Sequence, residues 1–576
     1  LFLLLAFHLT LFLLVLIFLY SCSDKKEEII EIPSISSVEE LVKHSEEFNK
    51  EVISFETPGG KIHFAIGFGI ANSIMVEGSD GNIIIDAADS TYDAEQIYGL
   101  FRKKDSKPIK AIIYTHNHGD HTFGAAYYLN TQASKPQIIA HEDTDYYVQR
   151  IMGIINPIIT KRSSRMFGTF LPEKDLINVG IGPSLNVSKS PNGYLKPDLT
   201  FADDLKITIS GIEIELYHAP GETNDQLFVW LPKHKSLMPG DNVYKTFPNL
   251  YTIRGTTHRD VTGWVDSIDH MIEFQPEYLF PSHTRPVTGS EKIENILITY
   301  RDAIQYIHDQ TIRLMNLGYY PDQIAEMIKL PSNIAASPFL SEFYGTVRWS
   351  VKSIFNGYLG WFNGNPAELD PLSRSEKAKR ISQLAGGSSE LINQLKIAVD
   401  NDDMQWALEL SDYLISLDLL TDEVRELRQE ALIYEGTRSS NPNKRNYFLA
   451  SALELNKSFE FSPLLNINDS ILENISIHTL FDVMSVRFNP NNHDSSLYKV
   501  CFNFTSGHSK IITLRNDVAV ISDTNQKDCD LEIETEEIEL KRILTGLKSP
   551  VSSIATGSIE ISGGNTNFLK FLTLFR

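Results

Sequence analysis

The chain has 576 residues, too many for one hydrophobic core, so three or four domains are expected. Its 42% hydrophobic and 10% aromatic content exclude general disorder, and its 52 basic against 74 acidic side chains give a formal charge of -22, a field that repels nucleic acid. Three cysteines, Cys22, Cys501 and Cys529, are too few for a cysteine-rich zinc module or a disulfide scaffold.

Leu1 to Tyr20 are almost wholly apolar, and Ser21, Cys22 and a charged run from Ser23 to Glu28 follow. The stretch Leu19-Tyr20-Ser21-Cys22 resembles a bacterial lipobox, in which the cysteine is lipidated after the leader is cut away. Residues 1–22 then read as a lipoprotein signal and 23–50 as a charged tether with a short helix-like segment. About 20 apolar residues also suffice for an uncleaved membrane anchor, but the small residue before Cys22 favours the lipoprotein. Both readings place the body outside the cytoplasm, at the cell envelope and facing the periplasm or exterior. There Cys501 and Cys529 have the opportunity to pair.

From Val52 short β-runs separated by turns begin, among them Ile62–Ile66, Ala71–Val76 and Asn82–Asp86. A helix follows near Asp93–Lys103, then strands at Ala111–Tyr114, Gln137–Ala140, Leu205–Ile209 and Ile212–Tyr217. Strands in series with intervening helices predict sheets covered by helices over 51–290. Residues 291–470 turn helical and hold no catalytic cluster, which reads as a packing and association module. From 471 alternation returns in Tyr498–Phe504, Ile511–Leu514, Val518–Ile521 and Leu531–Glu534, predicting a separate α+β domain.

Directly after Tyr114 stands Thr115-His116-Asn117-His118-Gly119-Asp120-His121. Three imidazoles and a carboxylate so close together are too costly to bury unpaired. A loop leaving a strand splays them toward two metal ions, His116 and His118 on one, Asp120 and His121 on its neighbour. Mixed imidazole and carboxylate ligands suit zinc, with other divalent metals possible.

This loop is similar to the metallo-β-lactamase superfamily signature, and that resemblance implies three further ligands: Glu222 in Pro220-Gly221-Glu222, a bridging Asp241 in Pro239-Gly240-Asp241, and His283 in Pro281-Ser282-His283. Glu222 stands where many members carry histidine and instead resembles the alkyl sulfatases, or type III sulfatases. Asn249-Leu250-Tyr251-Thr252-Ile253-Arg254-Gly255, with Arg259-Asp260 and Gly263-Trp264, is similar to that family's substrate-binding segment. Tyr306–Thr311 and Tyr358–Pro366 look like its dimerisation domain. The resemblance implies an α/β fold: a metallo-β-lactamase αββα sandwich, an all-α dimerisation domain and a C-terminal α+β sterol-carrier-like domain, a proposed holder of alkyl chains.

It further implies two zinc ions, Asp120 and Asp241 as catalytic carboxylates, sulfate held by Asn249, Arg254 and Arg259, and a homodimer acting on small alkyl sulfates. Forked guanidinium donors suit sulfate oxygens, although either arginine has Asp260 as a competing surface partner. Asp241 departs from the family's usual glutamate and leaves open another bond: a phosphodiester, lactone or lactam. A tethered lipid- or surfactant-binding protein with a vestigial metal site is the non-enzymatic alternative. Asp86 is expected to support the metal loop from behind. His258, His63, His141 and His218 match no motif, and Phe167 suits either the alkyl chain or the core.

Overall fold

The computed structural model describes residues 39–184, 192–461, 469–494, 496–523 and 528–575; Cys22, its leader and the first part of the tether lie outside them. No helix among the described residues is long and apolar enough to cross a membrane.

β1 (Glu51–Thr57), β2 (Gly60–Ile66), β3 (Ser73–Glu77) and β4 (Asn82–Ile85) pair antiparallel. β5 (Ile109–Ile113), β6 (Gln137–His141) and β7 (Leu199–Phe201) then extend the sheet in parallel. A second sheet has the order β13-β12-β11-β10-β9-β8. Its strands are β8 (Asp204–Ile209), β9 (Ile212–His218), β10 (Leu227–Leu231), β11 (Ser236–Met238), β12 (Tyr278–Leu279) and β13 (Val287–Thr288).

Side-chain alternation sets the layers. Along β4, Ile83 and Ile85 enter the core between the sheets with Phe64, Val229 and Phe280. Ile84 points the other way, into a cluster with Ile97 and Phe101 of α2 (Thr91–Lys104). Consecutive isoleucines are what a strand covered on both faces requires. The far face of the second sheet carries Phe228, Trp230 and Leu237 beneath Trp264 and Ile268 of α7 (Val261–Glu273) and Tyr300 of α8 (Ser290–Asn316). The result is the expected αββα sandwich. Each fully buried side chain of this kind contributes roughly 1.5–3 kcal/mol over its exposed state.

Between β5 and β7 run α3 (Gly119–Thr122), α4 (Ala125–Thr131), α5 (Thr144–Met152) and α6 (Asn156–Phe167). Residues 165–168 are the last turn of α6 and its cap, with Gly168 left-handed at φ 65°. Ile151, Ile155 and Ile159 are only half-buried, because this hairpin lines a cavity and not a core.

Helices continue from α8 to Glu454, and a bidentate ion pair from Arg165 to Glu454 fixes α6 to the helix Pro442–Glu454. The last domain is a sheet of β14 (Tyr498–Phe504), β15 (Ser509–Arg515), β16 (Val518–Ser522), β17 (Leu531–Thr535) and β18 (Ile559–Ser562), ordered β16-β15-β14-β17-β18. Phe481, Phe502, Phe568 and Phe571 fill its core, and Cys501 pairs with Cys529 at a Cα separation of 5.9 Å.

The stretch read as a tether is ordered over its last part. α1 (Glu39–His44) buries Leu41, and His44 Nε2 meets the Gly180 carbonyl at 2.7 Å while its ring stacks on Phe343. Amphipathic spacing, not charge count, governs this segment.

Candidate metal centre and substrate cavity

The parallel strands β4, β5 and β6 end at one rim, where open α/β sheets place their ligands. Asp86 follows β4 directly, with φ 59°, and is fully buried. Its carboxylate accepts from Thr115 N (2.9 Å), Thr115 Oγ1 (3.0 Å) and Ser282 Oγ (2.8 Å), and lies 2.8 Å from His121 Nδ1. One side chain thus ties the loop after β5 to the loop after β12, in the supporting role its position implies. His283 Nδ1 donates to the Ile70 carbonyl at 3.0 Å, which aims Nε2 inward. Asp241 sits in a short turn after β11, where Gly240 has φ 58° and a Cβ would meet the Gln226 amide at 1.8 Å. Only glycine allows that turn.

Four imidazoles and three carboxylates converge. His116 Nε2 and His118 Nδ1 are 2.9 Å apart. Asp241 Oδ2 lies 3.1 Å from His283 Nε2 and 3.6 Å from His116 Nε2, while its Oδ1 lies 3.4 Å from His121 Nε2. Asp120 Oδ2 is 3.4 Å from His121 Nε2 and 3.7 Å from His283 Nε2. The sets His116–His121–Asp241, Asp120–His121–His283 and His118–Glu222–Asp241 each bring ligand atoms within 4.8 Å of one another. Buried His121 Nε2 and Asp241 Oδ1 have no hydrogen-bond partner among the described residues. Orphaned ligand atoms of nitrogen and oxygen, facing one another, fit divalent cations.

Glu222 is held by the three residues around it. Its Oε1 faces Arg259 Nη1 at 3.0 Å and Asn249 Nδ2 at 3.2 Å, and Tyr244 OH donates to Oε2 at 3.2 Å. Arg259 is only 2% exposed, which rules out the competing surface pair with Asp260: that carboxylate instead caps α7 through Thr262 N. Burial makes a buried carboxylate the partner that this guanidinium needs. Arg254 reaches His118 Nε2 at 3.1 Å and donates to Thr252 Oγ1 at 2.9 Å. All seven expected ligands and all three expected sulfate-binding residues therefore meet at one place.

Charge follows this geometry. Burial, then neighbouring His121, pushes His116 down to about 4. Burial also raises Glu222. For Asp241 the burial effect is overcome by His283, His121 and His116, which hold it well below the usual carboxylate range.

A cavity of about 600 Å3 opens from Asp120, Glu222, Asp241, Arg254 and Arg259 onto an apolar wall. Val148, Ile151 and Met152 of α5, Ile155 of the turn, and Ile159 and Phe167 of α6 form that wall, which places Phe167 on the cavity. His258 is exposed and lies over Gly357, outside the cavity wall. His63 bridges Ser54 and Glu77, and His141 stacks on His218, all structural contacts. Sequence reasoning missed Tyr244 and Asp225. Buried Asp225 accepts from Asn117 Nδ2 (2.5 Å) and Thr144 Oγ1 (2.8 Å), joining the metal loop to α5. Its place three residues after Glu222 was the available signal.

Comparison with known proteins accords with this geometry. The metallo-β-lactamase superfamily model matches residues 66–283, the alkyl sulfatase dimerisation model 320–458 and the alkyl sulfatase C-terminal model 466–576. A linear primary-alkylsulfatase of Pseudomonas sp. is 33% identical over 518 residues, covering 87% of this chain and 98% of its own. The chain belongs to the alkyl sulfatase family. An (R)-specific secondary-alkylsulfatase of Pseudomonas sp. is 25% identical over 533 residues, covering 89% of this chain and 79% of its own. The alkyl sulfatase fold is also that of the solved stereoselective inverting sec-alkylsulfatase from Pseudomonas sp., with a TM-score of 0.84 at 23% identity over 93% of this chain and 86% of that one.

Proposed function

We propose that this protein hydrolyses alkyl sulfate esters to an alcohol and inorganic sulfate. The observation that carries the reading is the junction of an apolar cavity with buried guanidiniums and a seven-ligand cluster. His116, His118, Glu222 and Asp241 would hold one zinc ion, and Asp120, His121, Asp241 and His283 a second. Bound there, the pair would supply Lewis acidity and lower the pKa of water to about 7.

The side chains have their own tasks. Arg254 and Arg259 present forked donors to the three sulfate oxygens, and Asn249 adds a neutral amide. Engaged by Glu222 and the Asn249 carbonyl, Arg259 is presented in one orientation. Tyr244 donates to Glu222 and accepts from Asn249 N, so metal ligand and sulfate ligand share one support. The isoleucine-rich wall takes the alkyl chain and excludes water from it.

We further propose a homodimer through the helical domain, where Tyr358, Leu359 and Trp361 stand exposed. Attachment to the cell envelope through Cys22 is the remaining proposal; it rests on Leu19–Cys22, and the Cys501–Cys529 pair accords with an oxidising compartment. A substrate panel tests the reaction: dodecyl sulfate is to be turned over faster than nitrophenyl phosphodiesters or lactams. Preference for a non-sulfate substrate would move the assignment to another branch of the superfamily.

A further inference from the structure

The turn joining α5 to α6 carries an unusual surface. From Arg150 to Lys161 it reads Arg-Ile-Met-Gly-Ile-Ile-Asn-Pro-Ile-Ile-Thr-Lys. Every apolar residue in it is half-buried or exposed, and Ile158 is 54% exposed. Ile154 and Pro157 are absent from the cavity wall, so substrate binding does not account for them. The C-terminal domain adds to the same face. Gly153 lies against Thr479 and Val483 of the helix Ile477–Arg487, and Val486, one turn further on, is 58% exposed. Isolated exposed apolar residues are ordinary, but a cluster at the mouth of an apolar cavity is an interaction surface.

Charge selects the partner. On a chain of net charge -22, this patch is bordered by half-buried Lys161, exposed Arg487 and, on the cavity side, Arg150, which also lines the cavity. Among the described residues none of the three has a carboxylate within 4.0 Å, whereas nearby Asp145 is engaged by Lys196. Apolar tips flanked by unpaired cations match the boundary of an anionic bilayer, where the stems bury and the charged heads meet headgroups.

We propose that the α5–α6 turn, with the end of the helix Ile477–Arg487, docks on an anionic lipid bilayer. The cavity mouth then faces the acyl layer, and an amphiphile dissolved in the membrane enters tail-region to cavity without crossing water. Docking concerns the surface alone and stands whether or not the sulfate-ester reading holds.

The test is hydrogen exchange of the full chain with and without vesicles. With vesicles of about one-third phosphatidylglycerol in phosphatidylcholine, protection is expected to rise in 150–161 and 483–487, and to weaken at least about tenfold in apparent affinity without the anionic lipid. Ile154→Glu with Val486→Glu is expected to abolish the protection while turnover of hexyl sulfate, a short soluble ester, stays unchanged. Arg487→Glu, at an exposed position, is expected to weaken it. Unaltered exchange with anionic vesicles overturns the proposal. So does protection that appears without vesicles as protein concentration rises, which would make this face a contact between copies.

Discussion

Replacing Asp86 by asparagine asks whether the metal centre depends on its support from behind. The variant keeps shape and backbone, since asparagine tolerates φ 59° at least as well as aspartate. One oxygen remains for Thr115 N, but an amide NH2 replaces the oxygen that faces Thr115 Oγ1, His121 Nδ1 and Ser282 Oγ. The two hydroxyls can turn and accept. His121 cannot do so without moving its proton to Nε2, the atom aimed at Asp120 and Asp241. Loss of a hydrogen bond to a charged group costs about 1.5–3 kcal/mol, and loss of an outer partner of this kind weakens metal binding by about 10–100-fold. Zinc titration against a chromophoric chelator reads the affinity, and thermal unfolding at saturating zinc checks the fold. The expectation is loss at the Asp120–His121–His283 site with His116–His118 little changed. Zinc affinity within about twofold of the parent at both sites would refute the reasoning.

Other expectations follow from the same structure. Each methylene that enters the apolar cavity is worth about 0.8 kcal/mol, so KM for linear alkyl sulfates is to fall about fourfold per carbon until the chain outgrows the wall; a KM independent of length would contradict the assigned cavity. In metal-free protein Arg259→Met leaves Glu222 buried without its cation at a cost of about 3–5 kcal/mol, read as a lower melting temperature, and in zinc-loaded protein it is to raise KM. Burial holds His44 below its ordinary pKa, so the stability it lends α1 is full above about 6.5 and falls as pH drops through the folded-state value. The protection factors of amides in residues 39–48, taken against the intrinsic exchange rate at each pH, are therefore to fall on acidification, and His44→Gln is to remove that dependence. Trp361→Asp, in the exposed helical face, is expected to shift light scattering from dimer to monomer.

The metal loop was legible because its ligands are contiguous and follow a strand whose apolar run is unmistakable. Glu222, Asp241 and His283 needed a family resemblance, since nothing local marks a lone carboxylate after Pro-Gly. The cavity wall was not legible. Ile151, Ile155 and Ile159 repeat at helical spacing, yet they face empty space, so hydrophobicity there signals substrate and not packing. Arg259 and Asp260 are neighbours in sequence, and only the fold turns one inward to Glu222 and the other to the start of α7. Tyr244 and Asp225 act through contacts across loops, which no spacing rule reports.

The most direct test is sulfate release from dodecyl sulfate by the full chain, chelated and then restored with zinc. The account predicts release that is lost on chelation, returns with zinc, and is absent in His118→Ala. Intact protein with both metals bound that frees no sulfate from any primary or secondary alkyl sulfate would contradict it.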